Sequence, residues 1–221
     1  MAVGKAVKAF LLALSALLLS GFAIGAGKSM PYDAWSLGFG GPDYMEAYVE
    51  IAQVVDIQKQ VFRGAGGGIA SVSKPSKNQG SPKGWASSVG GGSGRDVTRA
   101  DLPRLIYVRW QSMVEPQTYE VFIDVPETAR VLMRNAERTY CPHADKPTTA
   151  YRKDIGIGLA PGGIVKVWVG GACLKAIEVA RVQATIVKVG PYDGKSDGHY
   201  RPLSEASKTY VEKFGIPYGS W

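Results

Sequence analysis

The chain has 221 residues, 45% of them hydrophobic, with 26 basic and 19 acidic side chains and a formal net charge of +7. The basic residues are scattered, and no Lys/Arg run interleaved with aromatic residues marks a nucleic-acid-binding surface. Two cysteines and two histidines lack the paired short spacings of a structural zinc site. Composition therefore argues against nucleic-acid and metal binding and favours a folded domain with a sizeable core.

The N-terminal segment has the features of a secretory signal peptide. Lys5 and Lys8 precede an apolar run from Ala9 to Leu19, and small residues follow from Ser20 to Gly27. We expect residues 1–26 to be cleaved and the protein to be exported to the periplasm. The alternative is an uncleaved anchor in the inner membrane, which the short apolar run disfavours because a spanning helix needs about 20 apolar residues.

Cysteine usage bears on both anchoring and redox state. The signal resembles the start of a bacterial lipoprotein, yet Phe22 stands where the lipid-bearing cysteine is expected. The first cysteine is Cys141, far beyond any processing site, so no lipid anchor is expected. An even count in an oxidising compartment predicts a disulfide between Cys141 and Cys173; the alternative is two buried, unpaired thiols.

The mature chain, residues 27–221, is expected to form a single β-rich domain. The stretch "SMPYDAWSLGFGGPDYM" predicts an extended segment whose rings pack on the core. The partial alternation in "YMEAYVEIAQVVDI" predicts a half-buried strand. Residues 64–97 are rich in Gly and Ser and have too little apolar surface for a core, which predicts a long mobile insertion.

Strand and helix patterns continue in the next part of the chain. Residues 102–126 predict two apolar and aromatic strands joined by a turn at Glu115 and Pro116. Asp124 and Glu127 have the spacing of a capping box, so a helix is expected to follow. Five residues at helical spacing predict its buried face: Ala129, Leu132, Met133, Ala136 and Tyr140.

The C-terminal part predicts further strands and a last helix. Residues 154–174 predict two strands joined by a turn at residues 160–163, and residues 176–190 continue the pattern. The last helix is predicted by an apolar face of six residues: Leu203, Ala206, Ser207, Tyr210, Val211 and Phe214. Gly215 and Pro217 end it. Two amphipathic helices among six or more strands favour a mainly β protein with α (α+β), built on a predominantly antiparallel sheet or sandwich.

No catalytic constellation emerges from the residue pattern. The sequence contains no G-x-S-x-G elbow, and its glycine-rich runs at residues 38–41 and 64–68 lack the following helix of a phosphate-binding loop. Cys141 and His143 lie in an extended segment, and a disulfide would consume the thiol. We therefore expect no catalytic residues, no metal and no cofactor, and interpret the protein as a binding protein rather than an enzyme.

Three stretches, "ADLPRLIYVRWQSMVEPQTYEVFIDVP", "YRKDIGIGLAPGGIVKVWVGGACL" and "PLSEASKTYVEKFGIPYGSW", carry a family resemblance. They resemble a family of Gram-negative bacterial proteins known as domain of unknown function 2931, whose members are often described as envelope lipoproteins. Because some relatives are encoded beside phospholipase effectors of the type VI secretion system, the resemblance implies an immunity role. It implies no catalytic residues.

Two hypotheses follow for the function. The first is a periplasmic immunity protein that neutralises a secreted lipase or phospholipase by stoichiometric binding; the alternative is an envelope structural or housekeeping protein with a cell-wall or lipid ligand. Loops on rigid scaffolds often carry recognition, and Trp, Tyr and Arg dominate interface hot spots. The predicted partner-binding residues are Lys83, Trp85, Arg95 and Arg99 in the insertion, and Tyr192 and His199 in a second loop. For Trp85, the alternative is that the ring folds back onto the domain.

Overall fold

A computed structural model describes residues 30–76, 85 and 92–221 of the chain. The predicted signal peptide and Lys83 lie outside these residues. The described strands, in chain order, are β1 (Ala34–Gly40), β2 (Ala47–Asp56), β3 (Val61–Ile69), β4 (Gly92–Thr98), β5 (Pro103–Ser112), β6 (Gln117–Asp124), β7 (Glu137–Cys141), β8 (Lys146–Ala150), β9 (Asp154–Ala160), β10 (Ile164–Gly171), β11 (Leu174–Gln183) and β12 (Thr185–Ile186). The described helices are α1 (Glu127–Arg134) and α2 (Glu205–Phe214), with short 3-10 turns at Pro161–Gly163 and Pro191–Gly194.

Ten strands form one sheet in the order β11-β10-β9-β1-β4-β3-β2-β5-β6-β12, and β7 pairs with β8 in a separate hairpin. The predicted mainly β protein with two helices is confirmed. The sheet is mixed, because β1 and β9 run parallel while the other pairs are antiparallel. Side chains alternate between the two faces in either direction, so the sequence pattern does not reveal this parallel pair.

The sheet curls around a single large core rather than forming a two-sheet sandwich. Strand β11 at one edge contacts β6 near the other edge, and β12, which follows β11 in the chain, pairs with β6. Trp35 and Phe39 of β1 are buried in this core, as expected for the aromatic N-terminal segment. Each fully buried large apolar side chain contributes about 1.5–3 kcal/mol to folding.

The glycine-rich segment differs from the predicted insertion, because both of its ends are strands of the main sheet. Strand β3 pairs with β2, and β4 pairs with β1. Glycine is required at Gly66, where an added Cβ would clash with the Phe39 ring. The strand pairing therefore depends on small residues that lower intrinsic strand propensity, and that is why the pattern predicted a loop.

The predicted start of α1 is wrong in detail. Asp124 ends β6, and the helix follows Pro126, which makes no side-chain cap hydrogen bond. Ala129 and Met133 are buried in the core, whereas Tyr140, expected on the same face, lies exposed in β7. Pairing of β7 with β8 outweighs the helical spacing beyond residue 134.

Helix α2 ends at Phe214, where it was predicted to end, and begins at Glu205, two residues after the predicted face residue Leu203. The Ser204 hydroxyl caps its N-terminus by accepting from the Ser207 amide at 3.4 Å, and Gly215, at φ 71°, ends it. Tyr210 of α2 stacks on Tyr44 with ring centroids 4.1 Å apart. The helix therefore closes a second, smaller cluster of buried residues.

The predicted disulfide between Cys141 and Cys173 is confirmed, with the two Cα atoms 4.8 Å apart. It ties the β7–β8 hairpin to the turn between β10 and β11. In the chain-entropy account, a cross-link over 32 residues stabilises the fold by about 3–4 kcal/mol. Within the described ranges, no helix is long and apolar enough to span a membrane.

Candidate protein-binding surface

The outer face of strands β2 and β5 carries long polar side chains at the centre of the sheet. In β5 the core-facing apolar residues alternate with Arg109 and Gln111, which therefore face outward. In β2 the pairing with β5 shifts register between Val49 and Ile51, which places Glu50 in a β-bulge. Bulges redirect side chains, and this one directs Glu50 towards both polar residues of β5.

Glu50 is the centre of a buried polar network. Its carboxylate lies 3.0 Å from Arg109 Nε and accepts from Gln111 Nε2 at 2.9 Å. It also accepts from the backbone amide of Tyr192 at 3.0 Å. The side chains of Glu50 and Arg109 are only 5% and 7% exposed. The pair is thus shielded from water and ties loop 190–201 to the sheet.

Arg109 holds the same loop at two more points. It donates to the Gly190 carbonyl at 2.8 Å and to the Asp193 carboxylate. Burial lowers the pKa of Arg109, but Asp193 and Glu50 outweigh that effect and raise its pKa overall. The guanidinium therefore stays charged and bridges the sheet and the loop.

The loop backbone is held in an unfavourable conformation. Tyr192 and Asp193 have φ angles of 52° and 57°, in the left-handed region that costs a non-glycine residue about 1 kcal/mol or more. Both residues are tied to the buried network, Tyr192 through its amide and Asp193 through its carboxylate. The network therefore fixes how the loop presents its side chains.

Tyr48, Tyr192 and Arg201 form a surface cluster that we name the Tyr–Arg platform. The two rings meet edge to face at 6.2 Å, and the Arg201 Cζ lies 4.3 Å from the Tyr48 ring centroid. Arg201 Nε donates to the Tyr192 hydroxyl at 3.1 Å and its Nη2 donates to the Tyr48 hydroxyl at 3.2 Å. The Arg201 amide donates to Gln111 Oε1 at 2.9 Å, which links the platform to the buried network.

The platform is accessible as well as ordered. Arg201 is exposed, and both tyrosines are half-buried. The hydrogen bond with Tyr192 is the largest cause that raises the pKa of Tyr48, and burial adds to it, so the Tyr48 phenol remains protonated near neutral pH. Ordered Tyr and Arg side chains at a surface are typical of protein-recognition sites.

An exposed aromatic pair extends this face across β5 and β6. Tyr107 and Phe122 are register partners with ring centroids 4.8 Å apart, and Phe122 is 64% exposed. Tyr107 donates to Glu120 Oε2 at 2.8 Å, and burial together with this carboxylate raises the pKa of Tyr107 to about 12. The pair adds apolar area next to Arg109, which lies two residues from Tyr107 on the same face of β5.

The described residues predicted to bind a partner lie at three separate places. Tyr192 belongs to the platform, and His199 lies exposed in the same loop with Nδ1 2.8 Å from the Ser196 carbonyl. Arg95 lies in β4 and Arg99 just after it, both exposed and on a different part of the sheet. Their roles in partner binding remain predictions.

Trp85 lies at the third place and packs on the domain. Its ring meets Trp168 edge to face at 5.5 Å, and a Cβ added to Gly158 would lie 2.5 Å from it. Gly158, which interrupts an apolar strand, therefore provides room for the tryptophan. This contact corresponds to the alternative stated for Trp85 in the sequence analysis, in which the ring packs on its own domain.

Most residues of this surface were missed in the sequence, among them Tyr48, Glu50, Arg109 and Arg201. The available signal was Arg109, because a long charged side chain inside an otherwise apolar strand requires a buried partner. The bulge at Glu50 interrupts the alternation of β2, so its partner was hidden.

A groove lies where β4, β1 and β9 adjoin, away from the Tyr–Arg platform. It has a volume of about 680 Å³ and is lined by Ser36, Arg95, Asp154 and neighbouring glycines. Ser36 donates to Asp154 Oδ1 at 2.6 Å, with no histidine lining the groove. Over the described part of the chain, no group of three or more His, Cys, Asp or Glu residues is placed to hold a metal ion.

Comparison with known proteins places the chain in a family. The sequence model of a family described as "Protein of unknown function (DUF2931)" matches residues 25–219. The chain belongs to this family. The matched span includes every described strand and helix and all three members of the Tyr–Arg platform. No curated protein and no solved structure matches this DUF2931 protein.

Proposed function

We propose that this DUF2931 protein is a periplasmic immunity protein that neutralises a lipase or phospholipase effector of the type VI secretion system by stoichiometric binding. The observation that carries the proposal is the Tyr–Arg platform, held by the buried Glu50–Arg109 network. Tyrosine and arginine supply much of the binding energy at protein interfaces. Because the platform is ordered before binding, little conformational entropy is lost on association.

The chemistry of this surface suits binding better than turnover. Glu50 and Asp193 are both ion-paired with Arg109, so neither is available as a general base. Tyr107 is a poor base as well, because its raised pKa of about 12 keeps it protonated. The surface therefore offers aromatic faces and a fixed cation.

Export to the periplasm is the second part of the proposal. The disulfide between Cys141 and Cys173 supports it, because such bonds persist in oxidising compartments. N-terminal sequencing of protein from the periplasmic fraction is expected to find a start between Ile24 and Lys28, with no attached lipid. Recovery of a chain that retains Met1 would contradict cleavage.

The inhibition test uses the purified protein and the purified lipase-type toxin encoded beside its gene. Increasing amounts of the protein are added to a fixed amount of toxin, and hydrolysis of a phospholipid substrate is followed. Inhibition is expected to saturate at a simple molar ratio. Tyr192→Ala should weaken it by at least about 30-fold, which corresponds to the 2 kcal/mol typical of a hot spot.

The control variants are Tyr140→Ala and Arg138→Ala, which alter exposed residues of the same types on the β7–β8 hairpin. They should inhibit as well as the parent protein. Full lipase activity at a large excess of the parent protein would contradict the immunity role and favour an envelope protein with another ligand. If the two hairpin variants no longer inhibit and Tyr192→Ala still does, the interface lies on the hairpin and not on the platform.

A further inference from the structure

Arg201 is fixed in place without a carboxylate partner. All 19 acidic side chains of the chain lie within the described residues, and none is within ion-pairing distance of its guanidinium. Four arginines elsewhere in the described structure are paired with carboxylates, namely Arg109, Arg130, Arg134 and Arg152. Arg201 is instead oriented by two phenol oxygens and the Tyr48 ring face. Its charge is thus positioned but not neutralised.

The contacts within the platform do not use all of its hydrogen-bond donors. Its Nε and Nη2 are occupied by the two hydroxyls, which leaves Nη1 without a protein acceptor among the described residues. A hydroxyl that accepts from arginine still has its own hydrogen to donate. One such hydrogen serves the contact between Tyr48 and Tyr192, and the other remains. The platform therefore offers a guanidinium N–H and a phenol O–H to an incoming acceptor.

We infer that the Tyr–Arg platform is a recognition site for a single carboxylate, an Asp or Glu side chain presented by the protein partner. The inference rests on the proposed function, since it names the group that the partner inserts. Charge-assisted hydrogen bonds from arginine to carboxylate are short and roughly twice as strong as neutral ones. The loss of charge solvation is reduced because Arg201 already stacks on Tyr48.

The surroundings favour one negative charge over two. Arg201 is the sole cation among the three platform residues, and the Asp193 carboxylate, 69% exposed, lies in the same loop. A dianionic phosphate would bring two negative charges into this loop and have only one guanidinium to bind. A carboxylate carries half that charge and fits the available donors.

The first experiment measures the dissociation constant of the complex with the lipase-type toxin. Arg201→Glu should weaken binding at least about 100-fold, because it places two carboxylates together. Arg201→Lys should weaken it about tenfold, since it keeps the charge but loses the planar fork. When one particular Asp or Glu of the toxin is changed to Arg, the toxin should again bind the Arg201→Glu variant, because the opposite charges are restored. Unchanged binding by Arg201→Glu would overturn the inference and leave the immunity role intact.

The second experiment needs no toxin. The Nε–Hε signal of Arg201 is followed by NMR while N-acetylglutamate α-amide is added, with N-acetylglutamine α-amide and inorganic phosphate as matched probes. A saturable shift with the glutamate probe is expected, stronger than with either alternative and lost in Tyr48→Phe/Tyr192→Phe. If the glutamate probe binds and no toxin does, the carboxylate site stands and the proposed function fails. Equal shifts with the glutamine probe, or stronger binding of phosphate, would overturn the carboxylate assignment.

Discussion

Trp85 and Tyr192 both come from glycine-rich segments, yet their surroundings are opposite. Trp85 packs edge to face on Trp168 and over Gly158, so its ring contributes to the fold. Tyr192 lies in a loop that is held on the sheet by the hydrogen bond from its amide to Glu50, and its ring and hydroxyl are part of the Tyr–Arg platform at the surface. An aromatic residue in a loop is thus not by itself a recognition signal. The position of the neighbouring polar and glycine residues decides which way the ring faces.

The largest expected effect is a loss of stability when Arg109, the cation that holds the Tyr192 loop on the sheet, is removed. Arg109→Leu leaves the buried Glu50 carboxylate without its ion-pair partner, which typically costs about 3–5 kcal/mol of unfolding free energy. Urea denaturation measures this loss, and amide exchange at Tyr192 should speed up because Glu50 and Arg109 no longer hold the loop. The double variant Glu50→Gln/Arg109→Leu should be less unstable than Arg109→Leu. A single variant as stable as the parent would contradict the anchoring role.

The second expected effect is a loss of stability when the Trp85 ring is removed. Trp85→Ala should lower the unfolding free energy by about 2 kcal/mol, less than the 3–5 kcal/mol of a fully buried tryptophan, because the ring is half-buried. Partner binding through the platform should be unchanged. Gly158→Ala should cause a loss of similar size by pushing a methyl group into the ring, and the two losses should not add. A Trp85→Ala variant with parental stability and lost binding would instead make Trp85 a contact residue.

The parts of the fold that the sequence predicted are those set by local patterns. Alternation and turn residues located β5, β6, β9 and β10, and apolar residues at helical spacing, ended by Gly215, located α2. The long-range features were not accessible. The parallel pairing of β1 with β9 and the inclusion of β3 and β4 in the sheet depend on which strands pair. Glycines such as Gly66 allow the Phe39 ring to pack closely, but they lower the local strand propensity on which the sequence prediction relied.

For the candidate site, residue type found one member and missed the rest. Tyr192 was proposed because it lies in a polar loop, but Tyr48 and Arg201 are far apart in the chain and meet through the fold. Glu50 was hidden by a bulge that breaks the alternation of β2. A single sequence does not encode such a juxtaposition in any local spacing, so only the assembled sheet brings these side chains together.

A smaller effect is expected on the pH dependence of stability, and it should concern the cluster that includes Trp85 and not the Tyr–Arg platform. Glu46 accepts from Ser207 Oγ at 2.6 Å and from Ser204, and it pairs with Lys74 at 2.8 Å, fixing helix α2 in the cluster that includes Trp85. Burial raises the pKa of Glu46, but Lys74 and the two serines outweigh it and lower the pKa overall. A lowered folded-state pKa stabilises the protein above the unfolded value of about 4.3, and this is lost as the pH falls through the folded value.

Glu46→Gln should therefore cost about 1 kcal/mol at pH 7 and flatten the decline of stability between about pH 5 and pH 3. Urea unfolding at several pH values provides the measurement. The Arg201 Nε–Hε signal of the platform should not change in this variant. An acid decline as steep as in the parent protein would assign that decline to other carboxylates.

The smallest effect tests whether strain or the ion pair fixes the Tyr192 loop. Asp193 and Asp197 both have left-handed backbones, with φ angles of 57° and 49°, but only Asp193 pairs with Arg109. Asp197→Gly should raise the unfolding free energy by about 0.5 kcal/mol, because glycine relieves the conformation and no ion pair is lost. Asp193→Gly gains the same relief but loses a half-exposed ion pair of about 1 kcal/mol at most, so its net change should be a small loss. Thermal and urea unfolding of the two variants side by side provide the measurement. If both variants are equally stabilised, backbone strain alone sets the loop, and the link from Arg109 to Asp193 does not help to hold it.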